Sequence, residues 1–245
     1  MKYAIIAAGE GSRLQQEGVA LPKPLVKLRG EAMIDRLLRI FRNNGAEEIV
    51  VIVNSLNPLT EQHLRELQAQ GLVDDVRLVV KTTPSSMHSF AELAPYLGDG
   101  PFCLTTVDTI FRETEFADYI RHFQQTALDG CMAVTDYIDD ESPLYVATND
   151  NLRITGFHDR CENDRFISGG IYLLRPNALQ TLDRCLREGR SRMRNFQRAL
   201  VEDGLQLEAW PFSKILDVDH ASDIEKAEAF LAEGSEDNRF SEKDN

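Results

Sequence analysis

The residues with the clearest chemical potential lie in a glycine-containing loop near the start of the chain. Gly9 and Gly11 precede Arg13, and Lys23 follows between two prolines. Glycine lets backbone N–H groups approach a polyphosphate closely, and a guanidinium group binds phosphate oxygens in a forked geometry. The prolines restrict the backbone around Lys23, which holds its ammonium group at a low entropic cost. These residue types in this order predict a polyphosphate site.

Two common phosphate-binding motifs do not fit this loop. A dinucleotide fingerprint needs a third glycine where the chain has Leu14, together with a helix that begins at once. A Walker loop needs Gly-Lys followed by serine or threonine, and the loop lacks that sequence. For Arg13 and Lys23 the alternative interpretation is a solvated loop charge. A glycine loop alone is weak support for phosphate binding, so the prediction rests on the whole array.

Alternating strand and helix patterns surround the loop. An apolar strand pattern at 2–8 leads into it, and helical spacing follows from Ile34 to Phe41, with Gly45 placed to end that helix. Further strands are predicted at 48–53, 76–80, 102–107 and 131–135, and further helices at 60–70, 86–96 and about 115–128. This rhythm predicts an α/β fold with a doubly wound, mostly parallel sheet. Ligands of such sheets bind beyond the carboxyl ends of the strands, where the glycine loop lies.

The pattern changes from Pro143 onward. Strand segments at 144–147 and 154–158 flank an Asn-Asp-Asn turn and predict a β-hairpin, which we place as a small lobe over the sheet edge. The remaining predicted elements are strands at 167–174, 205–210 and 215–217 and helices at 178–187, 193–203 and 222–231. No Pro- or Ser-rich linker divides the chain, so residues 1–233 are predicted to form one domain. The polar, acidic tail at 234–245 is predicted to be disordered.

The glycine loop and the Pro-Lys-Pro element resemble the nucleotidyltransferase family that makes NDP-sugars and related activated alcohols. The family signature is an N-terminal strand, a GxGxR loop with serine or threonine before the arginine, and a later PKP followed by leucine or methionine. The corresponding segments here are AIIAAGEGSRL and LPKPLVKLRGEAMIDRLL. The similarity extends from residue 2 to about residue 230.

The resemblance implies a Rossmann-like, GT-A-like fold with a nucleotide-binding half at about 1–130 and an acceptor-binding half at about 131–233. We expect the hairpin lobe to cover the acceptor site. The resemblance further implies that Arg13 and Lys23 contact the triphosphate and stabilise charge while the acceptor's phosphate oxygen attacks the α-phosphorus. The implied nucleotide contacts in the loop are Ala7, Ala8, Gly9, Gly11, Ser12, Arg13 and Lys23.

Three aspartates are candidate ligands of a divalent cation. A reaction that joins two anions and expels pyrophosphate usually uses such a cation, with Mg²⁺ as the default. Asp108 follows a strand at the position of a family metal ligand, although Val107 stands where the family commonly has glycine. Asp217 and Asp219 resemble the family's terminal D-x-D or D-x-G element and share a face if strand geometry persists. We favour Asp217 as the second ligand; for each aspartate, a turn or helix-cap role is the alternative.

A serine-rich segment after the third strand resembles the base-recognition element of the family by its position. Ser85, Ser86 and Ser89 offer hydroxyl groups to a base edge. For Ser85 or Ser86 a helix cap is the alternative interpretation. The segment matches neither the sugar-enzyme nor the choline-phosphate-enzyme pattern, so the identity of the base is left open.

The segment Ser168-Gly169-Gly170 resembles a family strand that lies against the acceptor. Adjacent glycines inside an apolar strand indicate that a ligand or another backbone approaches closely, or that the strand has a bulge. Lys214, close to the terminal aspartates, is predicted to reach the acceptor's phosphate. These four residues form the predicted acceptor-binding set.

The bulk composition argues against several kinds of partner. The net charge of −13 over 245 residues repels a phosphate backbone, which argues against nucleic acid. No apolar run approaches the roughly 20 residues that span a bilayer, so no membrane association is expected. The widely spaced cysteines predict reduced, structural residues and a cytoplasmic location; they are Cys103, Cys131, Cys161 and Cys185. A homo-oligomer is compatible with the sequence.

Together these features predict a Mg²⁺-dependent nucleotidyltransferase that transfers NMP from an NTP to a sugar 1-phosphate and releases pyrophosphate. Its partners would be an NTP and a phosphorylated small-molecule acceptor. One alternative is a cytidylyltransferase acting on phosphocholine or another phospho-alcohol, because the base segment lacks a clear sugar-type pattern. A second alternative is a catalytically silent regulator that binds nucleotide or sugar phosphate. Only the altered surroundings of Asp108 favour that regulator.

Overall fold

The structure, a computed structural model, describes residues 1–162 and 164–241, with 234–241 described by their backbone only. The strands are β1 (Lys2–Ala7), β2 (Lys27–Leu28), β3 (Glu31–Ala32), β4 (Glu48–Val53), β5 (Val76–Val80), β6 (Phe102–Thr106), β7 (Thr109–Ile110), β8 (Gly130–Thr135), β9 (Tyr145–Thr148), β10 (Ile154–His158), β11 (Phe166–Leu174), β12 (Leu207–Phe212) and β13 (Leu216–Asp217). The helices are α1 (Ser12–Gln16), α2 (Met33–Asn43), α3 (Pro58–Ala69), α4 (Ser86–Leu93), α5 (Glu113–Gln124), α6 (Ala178–Arg187), α7 (Met193–Glu202) and α8 (Ala221–Ser241).

The parallel part of the main sheet has the order β5-β4-β1-β6. β1 lies between β4 and β6, with Lys2 opposite both Glu48 and Phe102. After Lys2 its residues are apolar and buried on both faces, as expected of a central strand in a doubly wound sheet. The prediction of an α/β fold with a mostly parallel sheet is confirmed. The carboxyl ends of all four strands open on the same edge.

β11 joins the parallel part to the rest of the sheet, which has nine strands among the described residues. Its last four residues pair antiparallel with β6, and its first two pair with β9. β8 pairs with its other side, and β12 pairs parallel with β8. The predicted hairpin of β9 and β10 forms, and through β11 it extends the main sheet. A register shift between Ser168 and Tyr172 marks a bulge at the two glycines.

Apolar layers cover both faces of the sheet. Tyr3 and Ile5 of β1 belong to one buried cluster, whereas Ala4 and Ile6 belong to the other, because side chains alternate along a strand. The first layer contains a stacked aromatic pair, Tyr3 and Phe41, with ring centroids 4.5 Å apart. This packing fixes the strands and therefore the positions of the loops that follow them.

A third, smaller cluster joins the two ends of the chain. All of its buried members except Ile110 come from the N-terminal segment or from the C-terminal segment; they are Leu14, Val26, Leu28, Met33, Leu216, Val218, Ala227 and Phe230. Hydrogen bonds add to this contact: the backbone N–H groups of Arg29 and Ala221 donate to Glu228 and Glu17 at 2.8 and 2.6 Å. The glycine loop is thereby held against the segment that carries the terminal aspartates.

The differences from the predicted elements are mostly at element ends. The glycine loop leads at once into the short helix α1, which the pattern did not predict. α4 ends at Leu93 and continues as a 3₁₀ turn, and α5 ends at Gln124. The tail at 234–245 was predicted to be disordered. Its backbone from 234 to 241 continues α8, and residues 242–245 lie outside the described part of the chain. Within that part, no helix combines the length and apolar composition needed to cross a membrane.

Candidate active site

A cavity of about 410 Å³, called here the first cavity, opens at the carboxyl ends of β1, β4, β5 and β6. Residues from the loop that follows each of these strands line it. Every residue predicted to bind the nucleotide lies in this lining: Ala7, Ala8, Gly9, Gly11, Ser12, Arg13, Lys23, Ser85, Ser86 and Ser89. Segments far apart in the sequence are therefore brought together around one space.

Gly11 determines the shape of the glycine loop. Its φ of 61° lies in the left-handed region, which non-glycine residues adopt at a cost. A Cβ atom at Gly11 would lie 3.1 Å from the Cβ of Lys23, so the loop and the lysine segment pack closely here. The 3₁₀ turn Lys23–Leu25 follows Pro22 and places Lys23 in the cavity wall.

Lys23 links the two aspartates that come from opposite ends of the chain. Its Nζ donates to Asp108 Oδ2 at 2.5 Å and to Asp219 Oδ1 at 2.6 Å. The lysine side chain is only 11% exposed. Burial alone would lower the pKa of Lys23, but the charges of Asp108 and Asp219 outweigh it and raise the pKa. The lysine is therefore held as a fixed positive charge beside the first cavity.

Asp108 follows β6 and is mostly buried, with 18% of its side chain exposed. Burial would raise the pKa of this carboxyl, whereas the Lys23 ammonium group and the Thr106 hydroxyl lower it; the net direction is downward. Asp108 is therefore ionised at neutral pH. Within the described part of the chain, its buried Oδ1 has no hydrogen-bond partner. One carboxylate oxygen thus remains available to a ligand.

The C-terminal segment brings two more carboxylates to this place. β13 pairs antiparallel with β7, which sets Asp217 opposite Thr109, next to Asp108. Asp219 accepts a hydrogen bond from Arg13 Nη1 at 3.4 Å in addition to its contact with Lys23. Val218 between them is buried, so the two aspartates share a face as the alternation predicts.

Asp217 differs from its two neighbours because it lacks a compensating cation. Among the described residues, none forms an ion pair with the side chain of Asp217 or donates a hydrogen bond to it. The surrounding protein removes part of its hydration, and the charges of Asp108 and Asp219 repel it, so its pKa lies well above the ordinary value. Three carboxylates thus lie close together, and Lys23 pairs with only two of them, Asp108 and Asp219. A cation bound at Asp217 would reduce the repulsion among the three carboxylates.

The serine segment belongs to the same cavity lining as Lys23. Ser85 occupies the N-cap position of α4, yet its hydroxyl makes no capping hydrogen bond and instead lies 2.9 Å from His88 Nδ1. Ser89 is buried and bonds Thr83 at 2.6 Å. Ser85 therefore occupies the predicted N-cap position of α4, but its hydroxyl group does not cap the helix.

A second cavity of about 360 Å³ adjoins the first, because Arg13 and Asp219 line both. Ser168 and Gly169 line this second cavity, as does Asp217. The structure thus places the candidate metal ligands between two spaces, one built from the strand ends and the other from later segments. Two substrates that react with each other need this arrangement.

Two residues of the predicted acceptor set do not line the second cavity. Gly170 has a φ of 73°, and a Cβ atom there would lie 3.2 Å from Thr109 Oγ1. Lys214 Nζ lies 4.1 Å from the ring centroid of Tyr137 and 5.4 Å from that of Phe230. The lysine is thus engaged by aromatic rings next to the cavity.

The glycine pair itself is explained by the chain. A Cβ atom at Gly169 would overlap Ile215 Cδ1 and would lie 3.2 Å from the Ala133 carbonyl oxygen, so the Ile215 side chain would have to move. The bulge at this point lets β11 pass close to the segment that leads into β13. The glycine pair therefore marks both a bulge in β11 and a place where another part of the chain approaches closely.

Comparison with known proteins fits this geometry. A family model described as nucleotidyl transferase matches residues 2–234. The chain belongs to this family. Over 171 residues it is 32% identical to the N-acetylmuramate alpha-1-phosphate uridylyltransferase of Caulobacter vibrioides, covering 67% of this chain and 63% of that protein. Over 201 residues it is 22% identical to the probable glucose-1-phosphate cytidylyltransferase of Bacillus subtilis, covering 74% and 78%. It spans about half of several other relatives.

Solved structures support the fold of this nucleotidyl transferase. A putative glucose-1-phosphate thymidylyltransferase from Bacillus anthracis has a TM-score of 0.81 at 16% identity, with 94% of each chain covered. The inositol-1-phosphate CTP transferase from T. maritima has a TM-score of 0.72 at 19% identity, with 91% of this chain and 90% of that chain covered. At these identities the likeness shows a common fold.

Some residues of this nucleotidyl transferase site were not predicted. Asn54 follows β4 in the first cavity, where its side chain bonds the Ala8 carbonyl at 3.2 Å and the Thr82 hydroxyl at 2.7 Å. A polar residue directly after a buried strand was the available signal. The acidic loop after β8 lines the second cavity; it contributes Tyr137, Asp139, Asp140 and Glu141. That loop has no motif, and only the fold brings it to the site.

Another group of possible ligand atoms lies elsewhere in the described part of the molecule. His122, Cys131 and Glu208 have ligand atoms within 4.8 Å of one another. His122 Nε2 already bonds Glu208 at 2.7 Å, and burial raises the pKa of the Cys131 thiol. These features indicate a structural contact between α5 and β12. Cys103 and Cys185 are also buried free thiols, and Cys161 is an exposed one.

Proposed function

We propose that this protein is a Mg²⁺-dependent nucleotidyltransferase that transfers NMP from an NTP to a sugar 1-phosphate and releases pyrophosphate. The observation that carries the proposal is the contact of Lys23 with both Asp108 and Asp219 at the boundary of two cavities. A cationic group, carboxylates and space for two substrates meet at one point. Family membership supports the reaction class.

In this proposal the first cavity binds the NTP. The glycine loop directs backbone N–H groups at the triphosphate, and Arg13 and Lys23 stabilise its negative charge. The serines at 85, 86 and 89 face the base. The acceptor, held in the second cavity near Ser168 and Gly169, attacks the α-phosphorus with a phosphate oxygen. A new P–O bond forms, and the bond to the pyrophosphate breaks with its electron pair leaving on pyrophosphate.

The carboxylates at the boundary suit a hard divalent cation. Their donor atoms are all oxygens, one of them is a buried and unpartnered Asp108 oxygen, and Asp217 has no compensating charge. We assign Asp108 and Asp217 as the ligands, with Asp219 as a further candidate that holds Lys23 and Arg13. When bound, Mg²⁺ would offset the charge that develops on the α-phosphate and the leaving pyrophosphate. Substrate phosphates would compete with the aspartates for Lys23.

We further propose that residues 1–233 act as one domain, with the nucleotide half at about 1–130 and the acceptor half at about 131–233. The third apolar cluster supports this, because it packs the beginning of the chain against its C-terminal segment. The three buried, unpaired cysteines support a cytoplasmic location.

The test is a pyrophosphate-release assay with each NTP and a panel of sugar 1-phosphates and phospho-alcohols. We expect release with at least one pair, abolished by EDTA and restored by excess Mg²⁺. Asp108→Ala should lower kcat by about 10³-fold, because a charge-stabilising group is removed from a water-poor site. Asp150→Asn, in the exposed hairpin turn, is the matched control. Binding of NTP without turnover on any acceptor would instead support the regulator.

A further inference from the structure

The second cavity has an unusual charge for a space that receives a phosphorylated molecule. Its carboxylates come from two segments; they are Asp139, Asp140, Glu141, Asp217, Asp219 and Asp223. Its cationic side chains are Arg13 and Lys226, with His220 as a third basic group. Even after a divalent ion and a phosphate dianion cancel each other, the wall keeps an excess of negative charge.

The basic side chains neutralise only part of this wall; His220 Nε2, for example, lies 3.6 Å from Glu141 Oε1. Lys226 lies between Asp139 and Asp223, at 2.8 and 3.2 Å, so it is shared by two carboxylates. Arg13 lies beside Asp219 at 3.4 Å and only 3.9 Å from Glu141. Within the described residues, the one recorded contact of Asp140 is the backbone N–H of Ser142 at 2.8 Å.

The position of the excess charge is specific. Arg13 and Asp219 mark the side of the second cavity that meets the first, where the reacting phosphate must lie. Asp139, Asp140 and Glu141 belong to the loop between β8 and β9, which lines the same cavity as β13, and Glu141 Oε2 lies 3.9 Å from Arg13 Nη2. The ammonium group of Lys226 binds the Asp139 end of this wall at 2.8 Å, so Asp140 and Glu141 are the carboxylates of the loop that Lys226 does not pair.

We propose that the second cavity selects an acceptor that carries an ammonium group in addition to its phosphate monoester, with Asp140 and Glu141 as specificity-determining residues. This rests on the proposed function, and it narrows the acceptor to a zwitterion. Two kinds of molecule have this chemistry: an amino sugar 1-phosphate with a free amine, and a phosphorylated amino alcohol. An acceptor with an additional carboxylate would be repelled by the same wall.

The experiment compares acceptors that differ only in charge. Glucosamine 1-phosphate is compared with glucose 1-phosphate and with N-acetylglucosamine 1-phosphate, whose amine is neutral. Phosphoethanolamine is compared with 2-hydroxyethyl phosphate, and N-acetylmuramate 1-phosphate supplies the additional carboxylate. We expect the better of the two ammonium acceptors to exceed its neutral partner about tenfold in kcat/KM, the effect of one partly screened charge pair. The arm that shows this preference identifies which of the two sources is used.

The double variant D140N/E141Q tests the residues. We expect it to reduce the ratio of kcat/KM between the ammonium and the neutral acceptor about fivefold, and to improve N-acetylmuramate 1-phosphate relative to both. The exposed control Asp150→Asn should leave the ratio unchanged. Equal loss with all acceptors would mean a structural role and would overturn the assignment, as would a preference of the wild type for the neutral or carboxylated acceptor.

Binding measurements separate this proposal from the proposed function. The same acceptor pairs are titrated calorimetrically into the protein with Mg²⁺ and a non-hydrolysable NTP analogue. Tighter binding of an ammonium acceptor without turnover would support the charge selection while refuting the reaction. Turnover without a charge preference would support the proposed reaction and refute the charge selection. Absence of any binding would refute both.

Discussion

Two lysines in this protein each link a pair of aspartates, and their surroundings differ. Lys23 lies between Asp108 and Asp219 with 11% of its side chain exposed. Lys226 lies between Asp139 and Asp223 with 43% exposed. The first lysine is fixed by a proline-flanked turn behind a buried strand, whereas the second projects from a surface helix.

The difference shows where the molecule concentrates electrostatic energy. Exposed ion pairs are screened by water and contribute little, whereas a charge removed from water responds strongly to its partners. The Lys23 contact can therefore serve charge stabilisation at a reacting centre. The Lys226 contact instead adjusts the charge of a binding wall. The variants below test this distinction in order of decreasing effect.

The largest effect is expected from Lys23→Met with Lys226→Met as its matched partner. Removing Lys23 leaves two carboxylates without their cation and takes a positive charge from the triphosphate cavity, so kcat/KM should fall by about 10²- to 10³-fold. Removing Lys226 should change kcat/KM less than about fivefold, since the pair is exposed. Steady-state pyrophosphate release measures both. Equal losses in the two variants would contradict the comparison.

The two cavities also differ in how they use glycine. Gly11→Ala forces a left-handed φ on alanine at a cost of about 1 kcal/mol and crowds Lys23, so we expect weaker NTP binding and a small loss of stability. Gly169→Ala overlaps Ile215 and should cost about 1–3 kcal/mol of unfolding free energy. Denaturant unfolding together with NTP titration distinguishes them. Gly189→Ala, with a φ of 69° and open space, is the control for strain alone.

Asp217 gives a pH-dependent prediction. Asp217 is exposed, but partial loss of hydration and the charges of Asp108 and Asp219 raise its folded pKa, so its ionised form costs stability. The stability contributed by its protonated form is complete below its unfolded pKa of about 4 and is lost as the pH rises through the folded pKa. Asp217→Asn should therefore raise the melting temperature by a few degrees at pH 7 in EDTA and by less at pH 4. Mg²⁺ should stabilise the wild type more than the variant. A variant that melts lower at pH 7 would refute this account.

The smallest effect is expected from Lys214→Met. The ammonium group lies over two aromatic rings, so its loss should cost up to about 1 kcal/mol of unfolding free energy. Because Lys214 is engaged next to the cavity, the acceptor KM should change less than about threefold. A tenfold rise in this KM would show that Lys214 moves to the acceptor after binding.

The first cavity was more predictable from the sequence than the second, and the reason is physical. Its residues follow buried strands whose pattern is unambiguous, and parallel strands place their carboxyl ends at one edge. The positions of Arg13, Lys23 and Asp108 follow from that rule. Asn54 has a local signal of the same kind, because it is a polar residue directly after a buried strand.

The second cavity depends on long-range packing that no local pattern encodes. Its acidic loop after β8 has no regular element, and Asp139 or Asp140 could equally be solvated surface charges. The bulge at Gly169 and the pairing of β13 with β7 decide which residues face the space. The contact between Lys214 and the ring of Tyr137 also depends on long-range packing. The sequence around Lys214 does not reveal it, and Lys214 was therefore predicted to reach the acceptor.

The contact between the two ends of the chain has a consequence for the newly made protein. Leu14 and Val26 pack against Val218 and Phe230, and the aspartates of this C-terminal segment complete the arrangement around Lys23. When a ribosome has synthesised the first two hundred residues, the glycine loop and Lys23 exist, but the aspartates of the C-terminal segment do not. Catalytic competence would therefore arise only as the final helix emerges from the exit tunnel, so that incomplete chains would not consume nucleotide.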